Sequence, residues 1–145
     1  MADVLIVYDS RSGHTENAAK KIYEGVEASG ATVSLKTVRD ATIEDVKNAK
    51  GIILGSLCIE DNYSGELREF INDKLKVARP VDKIGAAFGT YKWKGGNLKK
   101  LEDDLHWLGL PLVAEGVNVH HFADEEAYKK LVELGKKVGM EARKH

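Results

Sequence analysis

Apolar residues arrive along this chain in two alternating rhythms. The first is a set of short continuous runs: Asp3-Val4-Leu5-Ile6-Val7-Tyr8, Gly51-Ile52-Ile53-Leu54-Gly55 and Lys83-Ile84-Gly85-Ala86-Ala87-Phe88-Gly89. Runs of this length, rich in β-branched side chains, predict strands buried on both faces of a sheet. Ala31-Thr32-Val33-Ser34-Leu35-Lys36-Thr37 instead alternates apolar and polar, which predicts a strand with one wet side, at an edge. Pro111 to Val119 predicts a last strand. Between the runs, apolar residues recur at helical spacing. Ala18, Ala19, Ile22, Tyr23 and Val26 form one such stripe, and Leu67, Phe70, Ile71 and Leu75 a second. Leu98, Leu101, Leu105 and Leu108 form a third, and Tyr128, Leu131, Leu134 and Val138 a fourth. A short helix from about Ile43 to Ala49 follows Thr42 as its cap, and Asp124 caps the final helix. Ser29-Gly30 reads as the stop of the first helix.

Five strands alternating with five helices predict an α/β fold, a parallel sheet with helices on both faces. Crossovers are right-handed, the alternating second strand belongs at an edge, and the continuous runs belong inside. Those conditions select the doubly wound five-stranded order 2-1-3-4-5. No internal repeat, low-complexity segment or linker interrupts the pattern, so residues 1–145 read as a single domain.

Composition narrows the function classes by exclusion. With 22 Lys plus Arg against 23 Asp plus Glu, the net charge is −1, which argues against a general nucleic-acid binder. The single cysteine, Cys58, leaves no internal disulfide and no four-cysteine metal site, and points to a reducing compartment. The N-terminus shows no charged-then-apolar secretory signal, and no apolar run approaches the roughly 18–20 residues a bilayer requires. A cytoplasmic protein with no membrane partner is expected.

In this architecture ligands bind beyond the carboxyl ends of the strands, at the switch point between strands 1 and 3. The loops there are Asp9–Thr15, Ser56–Ser64 and Gly89–Gly96. Asp9-Ser10-Arg11-Ser12-Gly13-His14-Thr15 leads from a strand into a helix. The first N–H groups of a helix lack intrahelical partners and carry partial positive charge, Ser10, Ser12 and Thr15 add hydroxyls, and Gly13 permits close approach. Together they suit a phosphate; an ordinary strand–helix connection with a capping hydroxyl is the other reading of the same residues. Gly89-Thr90-Tyr91-Lys92-Trp93-Lys94-Gly95-Gly96 places two aromatics in a glycine-rich loop, where they would wall a planar ligand. Phosphate cradle and aromatic walls together describe a mononucleotide site, and such a wall suits a flavin.

Other chemistries find less support. No Gly-x4-Gly-Lys-Ser/Thr is present, Asp9 has no second carboxylate beside it to make a phosphoacceptor pair, and Cys58 lacks a Cys-X5-Arg arrangement. His120 and His121 are adjacent on a strand and point to opposite faces, so one ion would not take both; a loop at the far end of the chain is their expected home. No metal site and no catalytic residue is expected.

Ser10-x-Ser12-Gly13-x-Thr15 resembles the phosphate-binding signature of the flavodoxin family. Phe88-Gly89-Thr90-Tyr91-Lys92-Trp93 resembles the Phe-Gly-Ser-Tyr-Gly-Trp run of short-chain flavodoxins and of the flavodoxin domains in flavodiiron proteins. Gly55-Ser56-Leu57-Cys58-Ile59-Glu60-Asp61 stands where that family has its flavin-facing second loop. The resemblance covers essentially the whole chain. It implies a flavodoxin-like fold and a low-potential FMN-binding carrier of single electrons, monomeric, serving redox partner proteins by transient contact. Ser10, Ser12, Gly13 and Thr15 would hold the phosphate, while Arg11 and His14 in the same loop either reach it or stay solvated. Trp93 would stack on one face of the ring and Ile59 cover the other. Ser56, Leu57, Cys58, Glu60 and Asp61 of the second loop, and Gly89, Thr90, Tyr91, Lys92, Gly95 and Gly96 of the third, would line its edge. Glu60 stands where the family commonly has a glycine that eases a redox-linked peptide flip, and Lys92 replaces another family glycine. Two other readings share the fold: an FMN-dependent NAD(P)H or quinone oxidoreductase, and an interaction module without flavin.

Overall fold

The computed structural model describes every residue except Met1, Ser10, Ser12 and Phe122. Its centre is a five-stranded, all-parallel sheet in the order β2-β1-β3-β4-β5, the expected 2-1-3-4-5. The strands are β1 (Val4–Tyr8), β2 (Val33–Thr37), β3 (Gly51–Leu57), β4 (Ile84–Tyr91) and β5 (Val117–His120). The continuously apolar runs of β1, β3 and β4 are buried nearly end to end, whereas every residue of β2 is half-buried, as the edge position predicts.

Helices α1 (Gly13–Ala28) and α6 (Glu125–Arg143) cover one face, where Ala18, Ile22 and Val26 meet Leu131, Leu134 and Val138 over Ile6 and Ile53. The other face is covered by α2 (Ile43–Asn48), α5 (Gly96–Trp107) and a composite helix. The composite begins as α3 (Gly65–Phe70), widens into a π turn at Ile71–Leu75 and ends as α4 (Lys76–Ala78). The simple periodicity of Leu67, Phe70, Ile71 and Leu75 predicts one regular helix. The inserted turn keeps Ile71 and Leu75 both buried and brings Lys74 Nζ to the carbonyls of Val38, Arg39 and Ala41, at 3.1, 3.2 and 2.5 Å. Thr42 caps α2 with a reciprocal box, its hydroxyl accepting from Asp45 N–H while the Asp45 carboxylate accepts from Thr42 N–H.

The last strand departs from expectation. Instead of one strand from Pro111 to Val119, Leu112 makes an isolated parallel bridge with Gly85, the chain breaks away at Ala114–Gly116, and β5 then pairs with Phe88–Tyr91. At two points glycine makes the packing possible. A Cβ at Gly55 would lie 2.2 Å from the Phe88 ring on the neighbouring strand, and one at Gly135 would lie 2.1 Å from the Ile22 carbonyl of α1. The second contact lets α1 and α6 approach backbone to backbone, which fixes the first helix, and hence its N-terminus, against the sheet.

Candidate functional site

Three connections gather beyond the carboxyl ends of β1, β3 and β4. Of the first, Ser10 and Ser12 lie outside the described residues. Gly13 opens α1 on the surface, and a Cβ there would meet nothing within 4 Å, so a ligand has open access to the main chain. Thr15 is fully buried, its hydroxyl 2.9 Å from that of Thr90 at the end of β4. This bond ties the first turn of α1 to the end of β4. Arg11 Nε reaches Glu66 of α3 at 3.4 Å, an ion pair exposed enough to contribute little stability.

Asp9 follows β1 and is fully buried. Its Oδ2 accepts from the Leu57 N–H of β3 at 3.0 Å, while Oδ1 is buried with no partner among the described residues. Burial pushes the carboxyl above its ordinary range, and the Leu57 N–H offsets this only in part. A folded-state value above the unfolded one means that ionised Asp9 opposes folding. Its contribution is best below the unfolded value and worsens as pH rises through the folded one. The stability of Asp9→Asn relative to wild type is therefore expected to increase between about pH 4 and pH 7. Thermal unfolding of both proteins across that range measures it, and a difference independent of pH would exclude a raised carboxyl.

The second connection is shorter than the predicted Ser56–Ser64, because β3 continues through Leu57 and Cys58 N–H still donates to Thr90 O at 2.8 Å. Ser56 is buried within the strand, and its hydroxyl accepts from Ser64 N–H at 2.8 Å, closing the base of the loop. At the tip, Ile59 and Asn62 exchange both backbone hydrogen bonds around Glu60 and Asp61, whose φ angles are 49° and 63°. Two successive left-handed residues are what a tight primed turn demands, and glycine or asparagine meets that demand more cheaply than glutamate. Glu60→Gly is expected to stabilise the protein by about 0.5–1 kcal/mol, the relieved left-handed strain exceeding the added chain entropy. Denaturant unfolding with an unchanged slope would register it. Asp61 fastens this turn to the third connection: its carboxylate accepts from Gly96 N–H at 2.8 Å and its carbonyl from Lys100 Nζ at 2.7 Å.

The third connection also shortens. Thr90 and Tyr91 belong to β4 rather than to a loop, so the expectation of two exposed aromatics holds for Trp93 alone; Tyr91 is half-buried. Trp93 is 83% exposed, with Lys92 Nζ 5.3 Å from its ring centroid. The ends of the third connection, at Thr90 and Gly95, are held by an amide network that carries no signal in the sequence. Asn97, at 1% exposed, donates to the carbonyls of Ser56 and Thr90 at 3.3 and 3.4 Å, and Asn118 of β5 donates to Gly95 O and Asn97 Oδ1, both at 3.0 Å. Gly89 makes room for it, since a Cβ there would fall 2.5 Å from Asn97 Nδ2.

His120 and His121 are not in a remote loop. All strands of a parallel sheet end at the same rim, and the end of β5 brings both to the mouth. His120 Nε2 is 2.9 Å from Lys92 O and donates to it, His121 N–H donates to Tyr91 O at 2.9 Å, and the His121 ring stacks on His14 with centroids 4.3 Å apart. The position of the predicted last strand in the sheet was the signal that could have placed them.

Between the first two connections lies an open cleft of about 520 Å³ lined by Arg11, Gly13, His14, Leu57 and Ile59. Among the described residues no group of three or more His, Cys, Asp or Glu side chains could hold a metal ion. No described helix is long and apolar enough to cross a membrane.

Comparison with known proteins agrees with this arrangement. The chain is 31% identical to a nitric oxide reductase of Moorella thermoacetica over 142 residues, 94% of this chain but 35% of that protein. It is 31% identical to a flavodoxin of Clostridium beijerinckii over 137 residues, 92% of this chain and 96% of that one. The chain thus spans about a third of the length of the first of these relatives and nearly all of the second. The solved structure of a flavodoxin from the domain Archaea superposes with a TM-score of 0.91 at 24% identity, covering 97% of this chain and 98% of that one. The flavodoxin family model matches residues 6–135, and the chain belongs to the flavodoxin family.

Proposed function

We propose that residues 1–145 form one flavodoxin unit that binds FMN and carries electrons singly between redox partner proteins. The observation that carries this reading is the convergence of two unlike surfaces at one rim. The first turn of α1 lies open at Gly13, where it shares a cleft with Ile59 of the second connection, and the third connection leaves the Trp93 indole uncovered. The residues fit the group. Main-chain N–H groups and the helix field suit a phosphate, an exposed tryptophan suits a flat ring, and the polar backbone of the second and third connections suits the ring's edge. When bound, FMN supplies the electron-transfer chemistry.

The chain's own residues then orient and tune. Trp93 and Ile59 shelter the ring from water. The turn at Glu60 and Asp61 is held to α5 by Gly96 and Lys100, so its backbone meets the ring from a fixed base. Lys92 and the nearby Lys94 place positive charge in the third connection, which favours added negative charge on the group they face. Redox partners, monomeric state and a cytoplasmic location belong to the same proposal.

A second reading draws on the likeness to the nitric oxide reductase, in which a stretch similar to this chain is part of a longer protein. On that reading the chain delivers electrons within an oxidoreductase. The purified protein, supplied with FMN and freed of excess, is expected to be yellow with an oxidised-flavin absorption spectrum and to show no steady NADH oxidation with a quinone. A protein that stays colourless would end the flavin reading; sustained NADH turnover would favour an enzyme.

A further inference from the structure

We propose that His14 and His121, with His120 beside them, form a protonatable subsite for a phosphate monoester dianion, so that the ligand is bound together with a proton. The inference rests on the FMN reading and names how the phosphate end of that site is charged. His14 is the second residue of α1, within the turn whose N–H groups point outward. His121 reaches it from the end of β5, and the two rings lie nearly parallel, with an interplanar angle of 9°. His120 lies 6.4 Å from His121, tilted by 49°. The His121 Nε2 is buried with no hydrogen-bond partner among the described residues.

The charged or titratable groups that act on His121 among the described residues are all basic. His14 faces His121 from α1, His120 from β5, and Lys92 from the connection after β4. Tyr91 of β4 packs edge-on against His120, and Tyr128 of α6 lines the same small cavity with Lys21 against its ring. Glu16, the nearest carboxylate on α1, turns instead to Lys20 and Tyr8. Two imidazolium ions stacked at 4.3 Å would repel each other strongly. Burial first, then His14, His120 and Lys92, hold His121 below the usual histidine range. A dianion settling on the first turn of α1 supplies a countercharge to the basic surroundings of His121. It raises the affinity of the pair for a proton, and by linkage the proton raises the affinity for the dianion.

The sign follows from that order of values. Affinity is greatest below the free-protein value and falls by up to about tenfold per pH unit between the free and bound values, the limit for one linked proton. Above about pH 6 the phosphate monoester is itself largely a dianion, so the window from pH 6.5 to 8 isolates the histidines. The test is calorimetric titration of the full chain, freed of flavin, at pH 7 in two buffers of different ionisation enthalpy. FMN is the probe and riboflavin, which lacks the phosphate, the control. Wild type is expected to take up a substantial fraction of one proton with FMN and none with riboflavin. His121→Asn is expected to lose most of that uptake and to flatten the pH dependence of the FMN dissociation constant. If His121→Asn fails to fold, His14→Asn, whose side chain is exposed, carries the same comparison. FMN binding without proton uptake, or uptake retained in full by the variants, overturns the subsite while leaving the FMN reading intact. If no FMN binds at all, that reading fails instead. Inorganic phosphate followed through the imidazole Cε1–H resonances then decides the subsite alone: upward-shifted titrations of His14 and His121 support it, and unchanged ones overturn it.

Discussion

Gly135→Val is expected to destabilise the protein by at least about 3 kcal/mol, lowering the thermal midpoint by roughly 10 °C, or to prevent folding altogether. The cause is a pair of helices that touch through their backbones. A Cβ at Gly135 would sit 2.1 Å from Ile22 O and 2.9 Å from Val26 N, and one at Gly25 would sit 2.0 Å from Val132 O. Neither neighbour is the end of a flexible side chain. A carbonyl within a helix cannot step aside without breaking its own hydrogen bond, so the helices must separate. Separation would open the apolar layer that Ile22, Val26, Leu131, Leu134 and Val138 bury between α1, α6 and the sheet. Gly65→Ala provides the contrast, since a Cβ there meets nothing within 4 Å, and it is expected to change stability by less than about 0.5 kcal/mol. Equal unfolding midpoints for Gly135→Val and wild type would show that the helices are not in backbone contact.

Trp93→Ala is expected to weaken FMN binding by about 10- to 100-fold, or roughly 1.5–3 kcal/mol, from lost stacking and lost apolar cover. The same substitution should leave unfolding of the cofactor-free protein unchanged, because the indole is 83% exposed and its contact there is with the Lys92 ammonium. That combination separates a binding surface from a packing residue. Titration of FMN fluorescence measures the first quantity and thermal unfolding the second. Undiminished affinity would remove Trp93 from the site, and a large loss of stability would make it a core residue.

The strands and their order were legible because the signal is local and strong. Continuous apolar runs at Val4, Ile52 and Ala86 can be buried only inside a two-faced sheet, and the alternation at Val33–Thr37 can sit only at its rim. The loop boundaries were less legible, because β3 and β4 run past their apolar stretches. Ser56 and Thr90 look like loop hydroxyls in the sequence, yet both are buried, Ser56 closing a turn and Thr90 bonded to Thr15 in the first turn of α1. The π turn at Ile71–Leu75 was hidden for a related reason: inward positions spaced by three, one and four residues fit a regular helix and a bulged one alike. Asn97 and Asn118 carry no periodic signal, since their work is to bond carbonyls that become neighbours only after the chain has folded. His120 and His121 lie just past the last apolar residue of β5, where the sequence resembles a loop, and only the parallel order of the strands brings that end to the shared rim.

Both outer strands of the sheet are poor templates for another chain. β5 spans four residues, is preceded by a break at Ala114–Gly116, and is flanked by a groove where Glu126, Lys129, Lys130 and Glu133 mix both signs of charge. β2 has five residues, and its Lys36 ammonium is drawn back to Asp45 at 2.9 Å. A foreign strand would find few ladder bonds at either margin and would have to displace solvated charges to make them. At high concentration this architecture should therefore resist edge-to-edge fibre growth, a kind of protection that owes nothing to the depth of its core.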